Sequence, residues 1–433
     1  MRLLNATTYT FREFRQRESR PQYAILSHRW FDEEITYATL NPSELQDGDS
    51  RSPQLDKIRN TCHVAREERL EWVWIDSCCI NKDSSEELNR SINSMFKWYQ
   101  EAAICYTYLS DVVALGQKMA TFKRKGSEKD SEWFERGWTL QELLAPREVK
   151  FFDMNWVFMG RRADLAAKIE SVTGIEACFL DGSEAFRTAS IATRLSWQAA
   201  RKTTEEEDMA YSLLGILGVS LVPTYGDGKQ SFLKLQQELL KSHRDESIFA
   251  WTIPGQHLPK HDRHWAQGQW GLLAPWIDCF QNSRDVVITG KMQDRPAGGI
   301  EPIAGGVKFP MPMGELDHTP WYFPFSAFLP PFLGPFIWLG VKKYRHKHRQ
   351  EWSLTLNCRK KDRFGELKSV QVFLCRDSRG DEFWRRCRCG DLGLTNRRPP
   401  TQLNGKTMTK DITIIQPTGV WWPVETEPSA SRH

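Results

Sequence analysis

The chain has 433 residues, a net charge of +4, and acids and bases interspersed along its length, which excludes a general nucleic-acid binder. That length holds about two or three domains at roughly 150 residues each, and 18 tryptophans make a sizeable core easy to bury. Ten scattered cysteines read as reduced thiols of the cytosol or nucleus rather than as a disulfide scaffold, and a cytoplasmic chain is expected. Residues 1–14 contain no long apolar run, so no secretory leader is expected.

Tyr23-Ala24-Ile25-Leu26 is a short apolar run that ends at Ser27 and His28 and reads as a buried strand. Leu55, Ile58, Cys62 and Ala65 recur at helical spacing, which predicts a helix over 54–69. Trp72-Val73-Trp74-Ile75 is a second strand, ending at Asp76. Ser84 and Glu87 have capping-box spacing, and Leu88, Ile92, Met95, Phe96 and Tyr99 predict the helix that follows. Residues 103–109 form a third strand. Residues 116–130 are polar and Lys-rich and read as an exposed loop. One helix is predicted from 131 to 145, stopping before Pro146, and Val149-Lys150-Phe151-Phe152 is a fourth strand. Strands alternating with helices predict a parallel α/β sheet with right-handed crossovers over residues 1–155.

Residues 156–255 read as a helical extension. Its elements are a helix over 208–217, a turn at Tyr225-Gly226-Asp227-Gly228, a helix marked by Phe232, Leu235 and Leu239, and a strand at 248–251. Residues 256–433 read as a β-rich C-terminal domain, with strands at 286–289, 352–357, 369–375 and 411–415. An apolar, uncharged stretch at 320–341, followed by the basic run 342–349, fits a membrane span by length and flank. Its five prolines argue instead for a Pro-rich insertion.

Candidate chemistry gathers at the ends of the predicted strands, where an α/β sheet displays a site. On a helix drawn through 131–145, Trp138 and Glu142 fall four residues apart on one side, with Trp133 on the other. A carboxylate beside an indole in a dry cleft has a raised pKa and suits a developing cationic centre, as when a glycosidic bond to a positively charged base breaks. The structural alternative is a groove-filling Trp138 and a solvated Glu142. Asp76 suits ribose hydroxyls or else caps a turn near Asn81. His28 suits phosphate binding or acid–base work, or else is a hydrogen-bonded structural residue. Arg29 is either a phosphate clamp or a surface partner of Asp32 or Glu33. No metal site is expected: His261-x-x-His264 lacks the Glu of a zincin, Cys387-x-Cys389 lacks a second pair, and His346-x-His348 lies in a basic run. The chain has neither a P-loop nor a Gly-x-Ser-x-Gly elbow.

Taken together, Tyr23-Ala24-Ile25-Leu26-Ser27-His28-Arg29-Trp30, Val73-Trp74-Ile75-Asp76-Ser77-Cys78-Cys79-Ile80-Asn81 and Arg136-Gly137-Trp138-Thr139-Leu140-Gln141-Glu142 resemble the fungal heterokaryon incompatibility (HET) domain. A looser resemblance continues through Glu207-Asp208-Met209 and residues 225–228 to Trp251. Arg29 stands where that family usually has Thr, and Asp227 where Glu is common. The resemblance implies non-self recognition ending in cell death. It also implies a distant likeness to the Toll/interleukin-1-receptor (TIR) domain and hence a TIR/flavodoxin-like sheet. On that likeness Glu142 is the catalytic residue of an NAD+ glycohydrolase, Trp138, Trp30 or both wall the nicotinamide, and Asp76 assists or positions the ribose. Ser27, His28 and Arg29 complete the substrate-binding set. NAD+ is then a substrate and no cofactor is needed. Self-association and an unidentified incompatibility partner protein are the implied partners. The alternative is a non-catalytic module that signals by homotypic assembly.

Overall fold

A computed structural model describes residues 1–47, 52–114, 121–254, 271–288, 300–303, 306–312, 349–377, 385–387, 389, 392–396 and 409–415. Two compact units divide the chain. One takes Met1–Thr188 and Ala200–Ser231, the other Ala189–Ala199 and Phe232–His433.

The first unit is built on β1 (Arg2–Asn5), β2 (Phe11–Glu13), β3 (Tyr23–His28), β4 (Trp72–Trp74), β5 (Ile104–Tyr108), β6 (Val149–Phe152) and β7 (Phe158–Arg161). They form one seven-stranded sheet in the order β2-β1-β4-β3-β5-β6-β7. The middle four, β4-β3-β5-β6, are parallel, and β3 and β5 are wholly buried. The purely parallel sheet expected from the alternation needs correcting at both edges. Residues 6–10 and 153–157 are too short for a crossover, so β1–β2 and β6–β7 close as antiparallel pairs. β1 also pairs antiparallel with β4 and is fully buried.

The helices of this unit begin with α1 (Pro42–Gln46), α2 (Pro53–Glu67), α3 (Asp76–Cys79), α4 (Ser85–Glu101) and α5 (Thr139–Leu144). Ser52 starts α2 by accepting from the Leu55 amide at 3.1 Å, with Pro53 in the first turn. Leu55, Ile58, Cys62 and Ala65 are its buried stripe. Ser84 starts α4 by accepting from the Glu87 amide at 3.3 Å. Only half of the expected box forms, because the Glu87 carboxylate turns instead to the Asn81 amide and Arg2. Ile92, Met95, Phe96 and Tyr99 are the buried face of α4, as their spacing requires. Trp98 and Tyr99 meet Trp74 of β4 edge-on, with ring centroids 5.5 and 5.8 Å apart.

The single helix expected over 131–145 is broken. A 3-10 turn covers Glu132–Glu135, Arg136 is extended, and α5 starts only at Thr139. The cause is competition from another segment. The Gly137 amide donates to the Lys202 carbonyl at 2.8 Å, and the Lys202 amide to the Glu135 carbonyl at 2.6 Å. This strand-like pairing takes the groups a continuous helix would use. Further along are α6 (Ala166–Thr173), ended by Gly174 at φ 66°, and α7 (Ala177–Leu180). The helix expected over 208–217 is two, Asp208–Tyr211 and Leu214–Leu217. The turn at 225–228 is present, with Gly226 and Gly228 both at positive φ.

In the second unit, Ile191–Gln198 and Gln230–Ser242 supply helices, the latter burying Phe232, Leu235 and Leu239. The strand expected at 248–251 is instead a 3-10 turn, Glu246–Phe249. Asp245 starts it by accepting from the Ser247 amide, and Arg386 donates to the carbonyls of Phe249 and Trp251, so no strand partner is needed. Among the described residues, Arg349–Lys361 and Leu367–Asp377 form the central antiparallel pair of one sheet. Gly306–Pro312 pairs with Thr409–Ile415 in another. His261, His264, His346, His348 and the stretch 320–341 lie outside the described residues. Among the described residues no helix is long and apolar enough to cross a membrane.

Candidate functional site

Ser27 and His28 end β3, so alternation sends their side chains to opposite faces of the sheet. Right-handed crossovers in the order β4-β3-β5-β6 put α2 on one face and α4 and α5 on the other. Ser27 lies on the α4–α5 face. Its hydroxyl donates to Glu142 Oε2 at 2.5 Å and accepts from the Trp133 indole N–H at 2.9 Å. The Tyr99 hydroxyl of α4 lies against the same carboxylate while donating to the Leu26 carbonyl at 3.0 Å. Glu142 is only 6% exposed. Burial, then the charge of Asp76, pushes its carboxyl up to about 8, with Ser27, Arg136 and Tyr99 pulling the other way. At neutral pH the group is mostly protonated, and a cation seated beside it would ionise it.

His28 lies on the α2 face. Its Nε2 is 3.7 Å from Glu34 Oε1 and its Nδ1 is 3.7 Å from Asp76 Oδ1. Both contacts are too long for hydrogen bonds, and neither ring nitrogen makes one. Burial, then Lys57, Lys82 and Arg136, hold His28 well below the usual imidazole range, so it is neutral. Glu34 pairs with the fully buried Lys57 of α2 and accepts from the Phe31 amide at 2.8 Å. At the rim, the Trp30 indole N–H donates to Asp76 Oδ2 at 2.8 Å. The Lys82 ammonium sits 3.1 Å from the centroid of the Trp30 ring.

The sheet thus brings together Ser27, His28, Trp30, Asp76 and Glu142. Arg29 points elsewhere: it pairs with Glu132 at 2.9 Å rather than with Asp32 or Glu33. Trp138 precedes α5 and donates its indole N–H to Asp208 Oδ2 at 2.9 Å, while Tyr225 donates to Oδ1. The break at Arg136 resets the helical phase, and Trp133 supplies the indole that reaches Glu142 through Ser27. Glu34, Lys57, Lys82, Tyr99 and Trp133 did not stand out from the sequence as site residues. Lys57 left a trace: it falls beside Ile58 and one turn before Thr61, at the edge of the buried stripe of α2. No group of His, Cys, Asp and Glu suited to a metal ion occurs among the described residues.

Residues 23–129 match the family model described as "Heterokaryon incompatibility protein (HET)". That segment includes Ser27, His28, Trp30, Asp76, Lys82 and Tyr99 and ends before Trp133 and Glu142. The chain is also 42% identical over 271 residues to "Vegetative incompatibility protein HET-E-1" of Podospora anserina. The alignment covers 60% of this chain and 19% of that protein, so the chain spans about a fifth of the relative's length. No solved structure matches.

Proposed function

We propose that this chain, a HET-domain protein, acts in vegetative incompatibility in the cytoplasm, and that its first unit triggers cell death by hydrolysing the nicotinamide glycosidic bond of NAD+. The observation that carries the reading is the buried Ser27–Glu142 hydrogen bond at the carboxyl ends of the parallel strands. The order β4-β3-β5-β6 supports a TIR/flavodoxin-like plan. Counted among the parallel strands it runs second, first, third, fourth, and the reversal falls between β3 and β5, where such folds seat ligands.

In the proposed reaction the bond between the ribose anomeric carbon and the ring nitrogen breaks, and its electron pair leaves with neutral nicotinamide. The ionised carboxylate of Glu142 faces the oxocarbenium-like carbon. Water adds there and loses a proton, leaving ADP-ribose. Asp76 holds the ribose hydroxyls and Trp30 walls the nicotinamide. Ser27 fixes the carboxylate, while His28, neutral and enclosed, backs Asp76 from the α2 face. Self-association, triggered by a partner protein, switches the reaction on. The test is NAD+ consumption by the full chain, free and fused to a forced-dimer tag, beside Glu142→Gln. Consumption that requires Glu142 supports the enzyme, and no consumption by the dimerised form rejects it.

One observation favours a second reading, a non-catalytic module that signals by homotypic assembly. Glu142 is almost wholly enclosed and already engaged by Ser27, as a structural polar core would be. Cell death would then survive Glu142→Gln and be lost on reversing exposed charges of α4 such as Glu86, Arg90 and Lys97.

A further inference from the structure

Lys82 projects from the tight turn joining α3 to α4. There Asn81 Oδ1 accepts from the Asp83 amide at 3.2 Å, and the Asn81 amide donates to Glu87 Oε1 at 2.9 Å. The Lys82 ammonium lies over the Trp30 ring and is enclosed, yet makes no hydrogen bond among the described residues. The ring is fixed by its own N–H on Asp76 Oδ2, while Asp76 Oδ1 is enclosed and accepts nothing. The Trp30 ring therefore carries a carboxylate with one unused oxygen at its edge and an ammonium with three unused donors over its face.

Enclosing an ammonium without acceptors is unfavourable, and the ring face with the nearby carboxylates offsets it only in part. Lysine is a poor guest for such a site, because its compact charge is strongly hydrated. A flat, delocalised cation gives up less hydration and stacks over more of the indole. Lys82 as a residue is only half-buried, so its head can reach water by side-chain rotation while the turn stays in place. The Asp76 charge acts on both Glu142 and Lys82, so a cation on Trp30 lies beside the carboxylate cluster.

We propose that Lys82 is a built-in occupant of a cation site formed by the Trp30 ring and the Asp76 carboxylate, and that swinging it out admits a flat aromatic cation of the pyridinium class. The class of cation rests on the hydrolase reading above. The occupancy of the site does not. Lys82 then acts as an internal competitor that lowers the affinity of the resting chain.

The test uses the full chain carrying Glu142→Gln, so that nothing turns over, with 1-methylnicotinamide as the probe in calorimetry. Adding Lys82→Ala is expected to tighten binding about tenfold, the scale of a desolvated cation–π contact. Lys82→Arg, which keeps a cation over the ring, gives no gain. Trp30→Leu added to Lys82→Ala removes the binding. Equal affinity with and without Lys82→Ala, or a gain that survives Trp30→Leu, overturns the proposal. Lys82→Gln repeats the measurement should the alanine variant unfold. NAD+ consumption by the chain with Glu142 intact separates the two readings. A gain in binding without consumption keeps the cation site and rejects the hydrolase, and consumption without a gain rejects the site alone.

Discussion

The Ser27 hydroxyl donates to the Glu142 carboxylate at 2.5 Å across 115 positions of sequence, and Trp133 backs that hydroxyl with its indole N–H at 2.9 Å. The two hydrogen bonds tie the end of β3 to α5 and hold a carboxyl group that burial has pushed up to about 8.

Glu142→Gln is expected to separate activity from stability. On the proposed hydrolase reading, NAD+ hydrolysis should fall by about a thousandfold, the scale expected when a positioned carboxylate is removed. Stability should move the other way at high pH. The folded chain holds the Glu142 proton up to about 8, and the unfolded chain releases it near the ordinary value of 4.5. The contribution is therefore fully present below the unfolded value and is lost as pH rises through the folded one. Across that window the wild type loses about 1.4 kcal/mol per pH unit relative to the glutamine variant. Urea unfolding of both chains across the window checks the sign. A difference that stays flat with pH means that Glu142 is not held protonated.

Ser27→Ala removes the hydrogen bond that favours the ionised carboxylate, so the Glu142 carboxyl should titrate still higher. The midpoint of the rising limb of the pH–rate profile then shifts upward, because a higher pH is needed to ionise the group. The Trp133 N–H also loses its acceptor, and the stability cost should be about 1–3 kcal/mol. Carboxyl titration by isotope-edited NMR and denaturant midpoints read the two effects separately. An unchanged midpoint rejects the coupling.

Periodicity made the parallel centre legible. The apolar runs ending at Ser27, Asp76 and Phe152, and the stripe Ile92-Met95-Phe96-Tyr99, are local signals that the sheet and α4 obey. Elements decided by distant partners were not legible. Lys202 breaks the helix at Arg136 from 66 positions away, and Arg386 satisfies the carbonyls of Phe249 and Trp251 where a strand was expected. The site divides the same way. Glu142, Ser27, His28, Trp30 and Asp76 stand out by type and position. Lys57 and Glu34 acquire meaning only when α2 packs beneath β3 and makes an ion pair of them.

That pair gives a third prediction. Lys57 is fully enclosed and Glu34 nearly so, and the lysine is pulled down by its burial while Glu34 holds it up. Lys57→Met leaves Glu34 as an unpaired buried charge and should cost about 3–5 kcal/mol. Adding Glu34→Leu should recover most of that loss, since the apolar pair owes no desolvation. Removing Lys57 also removes a cation that depresses His28, so the His28 pKa should rise in the single variant. Denaturant midpoints for the four chains of the cycle, with imidazole NMR titrations, test both statements. Equal losses in the single and double variants contradict the ion-pair account.

The start of α5 is seated by Arg201 and Asp208. Arg201 donates to the Arg136 carbonyl and to Thr139 Oγ1, each at 2.9 Å, and Asp208 accepts from both Trp138 and Tyr225. Asp208→Ala strands the part-buried Trp138 indole N–H, while the exposed Tyr225 hydroxyl turns to water. The loss of stability should be about 1–3 kcal/mol. If these contacts position the helix, the variant should lower kcat for NAD+ more than it raises KM, because a shifted carboxylate fails the reacting carbon more than it fails the bound ground state. Asp208→Asn should recover part of the loss, because its single carbonyl oxygen still serves one donor. Its amide nitrogen cannot accept from the Trp138 N–H, although it can donate to the Tyr225 hydroxyl oxygen. A kcat equal to wild type in a destabilised Asp208→Ala chain confines Asp208 to folding, whereas a low kcat with partial rescue by Asn assigns it the positioning of α5.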